Sequence, residues 1–179
     1  MSQLKNEIIE QFGTPCCVID LSIVERNIIR AQDLCTRAGV LNRPHIKTHK
    51  SSLLAKKQLE AGAVGITCQK IGEAEVMFEA GITDILVATN VLGAAKSGRL
   101  RALRGRVNVK LVADNPFVLS AYSEVARQAD RVIDVLIECD TGQKRAGVET
   151  PDEVLQLVRL LKQDVGLNFA GLMFYPPIN

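Results

Sequence analysis

Short apolar runs alternate with amphipathic stretches along most of this chain, and this alternation narrows its possible folds more than any other feature. Continuous apolar strands separated by helices are typical of parallel sheets with helices on both faces. The predicted strands are Cys17 to Leu21, His45 to Thr48, Gly65 to Cys68, Asp84 to Ala88, Val107 to Val112, Val135 to Ile137 and Phe169 to Phe174. The sequence therefore predicts an α/β fold with a parallel sheet.

Residues that stop and start helices separate these strands. Ser22 to Glu25 and Thr150 to Glu153 fit the capping box, in which a hydroxyl and a carboxylate satisfy free N–H groups at a helix start. Ser51 or Ser52 is predicted to begin another helix, and Glu73 to Ala80 is predicted to be helical. Pro116, after Asp-Asn, suits the first turn of a further helix.

Two features distinguish a doubly wound sheet from a β/α barrel here: the length of the βα units and the presence of glycine-rich loops that bind nucleotide phosphates. The units are short and even, and the sequence contains neither G-x-G-x-x-G nor G-x-x-x-x-G-K, which favours a barrel. We count six strands of the βα type from His45 onward. A closed (β/α)8 TIM barrel needs eight strands, commonly in about 250 residues. The predicted fold class is therefore an incomplete (β/α)8 barrel with about six of eight βα units.

Composition sets limits on the class of protein. The chain has 179 residues, 47% of them hydrophobic and 23% charged, values typical of a folded globular protein. A formal net charge of +2 provides no electrostatic argument for nucleic-acid binding. Five cysteines without a C-x-x-C pair suggest reduced thiols, and no apolar run has the length of a signal peptide or membrane span. We expect a cytoplasmic protein that binds neither nucleic acid nor membrane.

The segment from Arg43 to Lys50 (RPHIKTHK) is chemically the most unusual, and it holds both histidines of the chain. On a strand, His45, Lys47 and His49 would project from one face and Ile46 from the other. Cationic and polar groups at the carboxyl end of a barrel strand are typical of a functional site, where a lysine amine can form a Schiff base. A basic solvated edge or loop explains the spacing equally well. A metal pair on a helix and a phosphate-binding patch are weaker alternatives, because the segment favours extended structure and lacks aromatic residues.

This lysine segment resembles the corresponding motif of the D-threonine aldolase and D-serine dehydratase family. These are fold-type III pyridoxal-phosphate (PLP) enzymes with a barrel of the alanine racemase N-terminal type. The resemblance extends in order along almost the whole chain. Its further matches are Thr14-Pro15, Asp20, Gly65 to Lys70, Gly72 to Ala74, Glu138 to Gly142, Arg145, Gly147-Val148 and Ala170 to Pro176.

The resemblance implies roles for five residues. It makes Lys47 the catalytic lysine that forms the internal aldimine with PLP and acts as base on one cofactor face. It puts the ring of Tyr175 against the pyridine face and Arg145 near the phenolic oxygen. His45 and Gln69 are expected to face the same region and bind the cofactor. A tyrosine that caps the core and a solvated loop arginine are the alternatives for Tyr175 and Arg145.

The resemblance also implies the reaction class. The function it favours is a PLP-dependent lyase acting on D-amino acids, most like D-threonine aldolase, which cleaves D-3-hydroxy amino acids. D-serine dehydratase is the alternative. A second alternative is a non-catalytic PLP-binding protein of cofactor homeostasis, although the lysine motif of those proteins differs from the segment around Lys47. Asp140 either orients Arg145 or caps a turn, and we leave it outside the predicted site.

Finally, the resemblance implies that parts of the family's enzyme lie outside this chain. We expect residues 1–22 to form a segment that pairs with an absent C-terminal β-domain, and residues 23–179 to form the partial PLP-binding barrel. In the family that β-domain supplies a His and a Cys for a divalent metal, so we predict no complete metal site in this chain and expect a metal only at full length. We expect a truncated chain with weak or no activity alone, and a homodimer at full length.

Overall fold

The structure is a computed structural model that describes residues 3–104 and 106–176. Seven helices and five strands follow one another in these ranges. The helices are α1 (Gln3–Phe12), α2 (Leu21–Arg37), α3 (Ser52–Glu60), α4 (Ile71–Glu79), α5 (Ala94–Arg104), α6 (Pro116–Ala129) and α7 (Pro151–Lys162). The strands are β1 (Ile66–Cys68), β2 (Asp84–Val87), β3 (Asn108–Ala113), β4 (Ile133–Cys139) and β5 (Leu167–Phe174). The predicted α/β class is confirmed.

All five strands pair in parallel and in sequence order, so the sheet runs β1-β2-β3-β4-β5. One helix lies between each strand and the next, as the predicted βα units require. The carboxyl ends of parallel strands meet at one edge of a sheet, and this edge is the usual location of a site in such folds. The residues immediately after the five strands are therefore brought together.

The core lies between the sheet and its covering helices. Ile66, Ile85, Val109 and Val135 come from four neighbouring strands, and each is completely buried. Tyr122 on α6 is also fully buried; its hydroxyl donates to the carbonyl of Val112 (2.9 Å) and accepts the Val91 N–H (3.0 Å). A buried hydroxyl needs such partners, and these bonds attach α6 to β3 and to the loop after β2.

The strand count differs from the sequence prediction. Five of the six βα strands are present, but His45 to Thr48 is reduced to one parallel bridge between His45 and Thr67. Residues 46–49 form a turn, in which Lys50 N–H donates to Ile46 O (2.8 Å). The predicted alternation of His45, Lys47 and His49 on one face is therefore wrong, because it required an extended backbone. Ile46 is completely buried within this turn.

Two predictions near the N-terminus are wrong. Residues 17–20 form no strand, and α2 is capped by Asp20 and not by the predicted box at Ser22 and Glu25. The Asp20 carboxylate accepts the N–H groups of Ser22 (2.9 Å) and Ile23 (3.2 Å). A carboxylate in this position satisfies two free helix donors at once, so the helix begins two residues earlier than a serine cap would allow.

The other helix starts follow the sequence closely. Ser51 caps α3 and Thr150 caps α7 through a complete capping box with Glu153, both as predicted. Asn115 caps α6 with Pro116 in the first turn, also as predicted. Helix α4 begins at Ile71, two residues before its predicted start. Helix α5 is additional to the predicted elements, since an interior glycine at Gly98 weakens its helical signal.

The N-terminal helices pack loosely on the rest of the described chain. Neither α1 nor α2 contains a buried residue. Helix α2 contacts α3 through the ion pair between Glu25 and Lys57 (2.6 Å). The predicted domain boundary at residue 22 lies inside α2. Residues 1–2 and 177–179, which belong to the two predicted domains, lie outside the described residues. The pairing of residues 1–22 with a C-terminal β-domain stays a prediction.

The structure also describes the cysteines and the helices that the predictions of reduced thiols and of no membrane span concern. All five cysteines are free thiols, and burial raises the pKa of Cys68 to about 12, which makes that thiol unreactive at neutral pH. Among the helices of the described residues, none has the length and apolar character needed to cross a membrane.

Candidate active site at the carboxyl edge of the sheet

Lys47 lies in the turn that follows the bridge between His45 and Thr67. The bridge is held by two backbone hydrogen bonds, from Ile46 N–H to Thr67 O (2.9 Å) and from Thr67 N–H to Pro44 O (2.8 Å). The position of Lys47 is thus set by its buried neighbour Ile46 and by the edge of β1, and not by a strand of its own.

The side chains of Lys47 and Arg145 both lie over the ring of Tyr175. The Lys47 Nζ atom is 5.3 Å from the ring centre, and the guanidinium carbon of Arg145 is 5.0 Å from it. Cations within about 6 Å of an aromatic centre are attracted by the negative face of the ring. Tyr175 follows β5 directly and Arg145 lies in the loop after β4, so the fold brings together three predicted site residues.

The Lys47 amine is otherwise unengaged in the described part of the chain. Its Nζ atom forms no hydrogen bond or ion pair there, whereas Lys50, Lys57 and Lys110 each pair with a carboxylate. An amine without a carboxylate partner is available to react with a carbonyl group.

His45 lies beside the lysine, as predicted. Its Nδ1 atom accepts the backbone N–H of Lys47 (3.2 Å), which assigns the ring proton of the neutral form to Nε2. Burial and then the charge of Lys47 lower the pKa of His45, while a hydrogen bond with the Gln69 side chain acts in the opposite direction. His45 is therefore a neutral imidazole at pH 7.

Gln69 is the first residue after β1, and both its backbone groups are engaged. Its N–H donates to the Glu73 carboxylate (2.7 Å), and its carbonyl accepts the hydroxyl of Thr89 (2.6 Å). These bonds join the loops after β1 and β2. They hold the side chain of Gln69 beside His45, so this predicted pair is also brought together.

Glu73 is a functional candidate to which neither the sequence pattern nor the resemblance assigned a role in the site. Its side chain is 7% exposed and accepts hydrogen bonds from Gln69 N–H and from the Lys50 ammonium group. Burial acts to raise the pKa of Glu73, but the bonds from Lys50 and Gln69 hold that pKa below its usual value. A glutamate in the first turn of α4, directly after a buried strand, was the signal available in the sequence.

Glu138 is a second carboxylate that the sequence analysis did not assign. It lies near the end of β4 and is 5% exposed, which is unusual for a carboxylate. Burial raises the pKa of Glu138, the negative charge of Asp114 raises it further, and the charge of Arg145 opposes both. Its signal in the sequence was an acidic residue at the polar end of an otherwise apolar strand.

Asp114 and Asp140 follow β3 and β4, and both carboxylates are structural. Asp114 accepts the side-chain amides of Asn90 (2.8 Å) and Asn115 (2.7 Å) and the Gly147 N–H (3.3 Å). Asp140 accepts the N–H groups two and three residues later, Gly142 (2.8 Å) and Gln143 (2.9 Å). Of the two alternatives for Asp140, the structure favours the turn cap.

A small cavity opens between these loops. Its lining includes Glu138, Asp140, Arg145 and Tyr175, so a buried acid, a guanidinium and an aromatic ring all border this cavity. Within residues 3–104 and 106–176, no three His, Cys, Asp or Glu side chains lie close enough to hold a metal ion.

Comparison with known proteins places the chain in a family. Residues 19–178 match the alanine racemase N-terminal domain. The chain is 41% identical over 162 residues to a D-threonine aldolase from Arthrobacter sp., a match that covers 90% of this chain and 43% of that protein. It is 37% identical over 161 residues to the D-threo-3-hydroxyaspartate dehydratase of Delftia sp. (strain HT23), covering 89% of this chain and 42% of that protein.

Solved structures agree with these matches. The crystal structure of D-threonine aldolase from Filomicrobium marinum has a TM-score of 0.86 and 40% identity, and the match covers 89% of this chain and 43% of that one. Alanine racemase from E. faecalis, at 24% identity and a TM-score of 0.72, shares the fold; that match covers 87% of this chain and 42% of that one. This chain thus spans less than half the length of these relatives. The predicted fold type is confirmed, and the chain belongs to the alanine racemase N-terminal domain family.

Proposed function

We propose that this chain carries the lysine-bearing part of a pyridoxal 5′-phosphate site in a lyase that acts on D-3-hydroxy amino acids, most like D-threonine aldolase. The observation that carries the proposal is the amine of Lys47, which has no hydrogen-bond or ionic partner among the described residues and lies 5.3 Å from the centre of the Tyr175 ring that Arg145 also contacts. These groups lie at the carboxyl edge of a parallel sheet, where βα folds usually bind ligands.

The chemistry of these side chains fits the cofactor. Pyridoxal phosphate is a flat aromatic aldehyde with a phenolic oxygen and a phosphate group. Lys47 provides an amine for the aldehyde, Tyr175 a flat ring for stacking, and Arg145 N–H donors for an anionic oxygen. When bound, the cofactor supplies an electron-withdrawing ring that stabilises negative charge at the substrate Cα.

Each of the site residues has a separate role in the proposed reaction. Lys47 would hold the cofactor covalently and, once released by substrate, accept or return a proton on one face. Arg145 would donate to the phenolic oxygen, and its guanidinium group contacts the Tyr175 ring. His45 would present a neutral ring with its proton on Nε2, held by Gln69 and by the Lys47 N–H.

Two reactions follow from the same starting chemistry. Cleavage of the Cα–Cβ bond of D-threonine yields glycine and acetaldehyde, which is the aldolase reaction. Loss of the Cα proton and the β-hydroxyl from D-serine, together one water, leaves an enamine that takes up water again to give pyruvate and ammonia, which is the dehydratase reaction. The aldolase from Arthrobacter sp., at 41% identity, supports the first. The Delftia dehydratase, at 37%, supports dehydration as the second candidate.

Covalent labelling tests the cofactor site directly. The chain is incubated with pyridoxal phosphate, reduced with borohydride and digested, and the labelled lysines are identified by mass spectrometry. We expect preferential labelling of Lys47 over the exposed Lys56 and loss of that preference in Lys47→Arg. Equal labelling of both lysines would refute the proposed site.

A turnover assay tests the reaction class. The protein is supplied with pyridoxal phosphate and a divalent metal and given D-threonine, D-serine or L-threonine. Acetaldehyde from D-threonine supports the aldolase, whereas ammonia and a 2-oxo acid support the dehydratase. Labelling of Lys47 without turnover of any substrate would favour a cofactor-binding protein over a lyase.

A further inference from the structure

We propose that Glu73 is a positioning residue for Lys47. Its buried carboxylate fastens the turn that carries Lys47 to the carboxyl end of β1. This inference rests on the proposed function in one respect, namely that Lys47 is the residue that holds the cofactor. The geometry of the turn itself is independent of that function.

The turn is a single helical turn between two anchored residues. Ile46 is fully buried and bonded to Thr67, and Lys50 N–H closes the turn on Ile46 O at 2.8 Å. Lys47 is the first residue inside this turn. Since its own amine has no hydrogen-bond or ionic partner in the described part of the chain, the position of that amine depends on the backbone of the turn and on the contact with the Tyr175 ring.

Glu73 holds the far end of this turn. Its carboxylate accepts a hydrogen bond from the Lys50 ammonium group through one oxygen and from the Gln69 N–H (2.7 Å) through the other. Lys50 has a left-handed backbone (φ 49°), a conformation that is uncommon for residues with a Cβ atom. The ion pair to Glu73 therefore stabilises a strained turn end and connects it to the loop after β1.

Glu73 is suited to this task by its burial. The carboxylate is 7% exposed, whereas the Lys50 side chain is 57% exposed, so the fixed partner is the glutamate. A buried carboxylate without its partner is costly, and the pair is correspondingly selective for one geometry. The lowered pKa of Glu73 is in keeping with a carboxylate that stays ionised at neutral pH.

The test compares three variants of the full chain. Glu73→Gln keeps the size of the side chain and an acceptor for Gln69 N–H but removes the charge that holds Lys50. Lys50→Gln removes the other partner from a largely exposed position. Glu75→Gln is the matched control, because Glu75 lies on the same helix and is paired with Arg99 (2.8 Å), away from the lysine turn.

The measured quantities are the rate of borohydride-trapped labelling of Lys47, relative to Lys56, and the affinity for pyridoxamine 5′-phosphate. That compound carries an amine in place of the aldehyde and cannot form a Schiff base with Lys47. We expect Glu73→Gln and Lys50→Gln to reduce relative labelling of Lys47 about tenfold, since small misplacements of a reacting group are costly. Affinity for pyridoxamine phosphate should stay within twofold of the wild type, and Glu75→Gln should change neither quantity.

The outcomes separate this inference from the proposed function. Wild-type rates of Lys47 labelling in Glu73→Gln would overturn the inference alone. A parallel loss of pyridoxamine phosphate affinity would also overturn it, because Glu73 would then support the whole cavity and not Lys47. Absence of Lys47 labelling in the wild-type chain would overturn both. If Glu73→Gln does not fold, Lys50→Gln decides the question by the same two measurements.

Discussion

The amine nitrogen of Lys47 lies 5.3 Å from the centre of the Tyr175 ring. The two residues come from opposite ends of the described sheet. Tyr175 is 48% exposed, so the contact is open to solvent and its energy is modest, about 0.5–1 kcal/mol for an exposed pair. Its importance is geometric, because the same ring also holds Arg145.

Replacing the ring should therefore weaken cofactor attachment without abolishing it. We expect Tyr175→Leu to lower the affinity of the chain for pyridoxal phosphate by about two- to fivefold, the equivalent of one lost cation–π contact. Tyr175→Phe keeps the ring and should retain wild-type affinity. Absorbance titration with the cofactor measures both variants. An equal loss of cofactor affinity in both variants would show that the Tyr175 hydroxyl, and not its ring face, supports cofactor binding.

Ile46 links the core to the site. It is completely buried and is the residue directly before Lys47. Ile46→Ala should reduce the free energy of unfolding by about 3 kcal/mol, and Ile46→Val by about 1 kcal/mol. Urea denaturation followed by circular dichroism gives these values. A small loss in the alanine variant would mean that the turn can settle into the vacated volume.

Glu138 should make stability depend on pH in a particular direction. Burial raises its pKa in the folded state, so the folded protein binds more protons than the unfolded chain just above the usual glutamate pKa. The free energy of unfolding should accordingly fall as the pH rises through that window. Glu138→Gln should be more stable than the wild type at pH 7 by about 1 kcal/mol.

Thermal unfolding between pH 4 and pH 8 measures this effect. The exposed Glu79→Gln is the control and should follow the wild-type curve. A destabilised Glu138→Gln at pH 7 would show that the charge of Glu138 is favourable, through Arg145, in spite of its burial.

The two histidines should act in the opposite direction. Burial is the largest cause of the lowered pKa of both His45 and His49. Below about pH 6.5, the usual pKa of histidine, the unfolded chain therefore binds more protons than the folded one, and stability is lost as the pH falls.

Comparison of melting temperatures at pH 7.5 and pH 5.5 isolates this contribution. The fall in melting temperature between the two should be smaller in His45→Gln and in His49→Gln than in the wild type. If the decrease in melting temperature is the same in both variants as in the wild type, the loss of stability in acid is due to carboxylates such as Asp84. The ion pairs of Asp84 with Arg43 (2.6 Å) and Lys110 (3.2 Å) overcome its burial and hold its pKa low.

Much of the fold could be predicted because its signals are local. A capping box at Thr150, a serine cap at Ser51 and apolar runs of strand length each depend on residues within a few positions. One error, at the start of α2, arose where two local signals competed. Asp20 and Ser22 are both good caps, and the aspartate prevails because its carboxylate reaches two N–H groups.

The candidate site divides in a similar way. Its lysine segment was visible because a run of cations next to an apolar strand is chemically unusual, and the resemblance to a family pointed to Tyr175, Arg145, His45 and Gln69. Glu73 and Glu138 were missed as site residues, since a glutamate in a helix or strand carries no sign of its burial. Only the packing of neighbouring loops determines whether such a carboxylate is solvated.

The sequence by itself predicted the alternation of strands and helices from Gly65 onward, apart from α5, and most helix starts, because these depend on short-range patterns of apolar and capping residues. The resemblance to a family pointed to Lys47 as the candidate lysine. Tertiary structure alone decided that Lys47 lies in a turn and not on a strand. It also decided that Lys47 meets Tyr175 and that Glu73 holds the turn through Lys50. These relations join residues from separate βα units, and parallel pairing brings their carboxyl ends to one edge of the sheet.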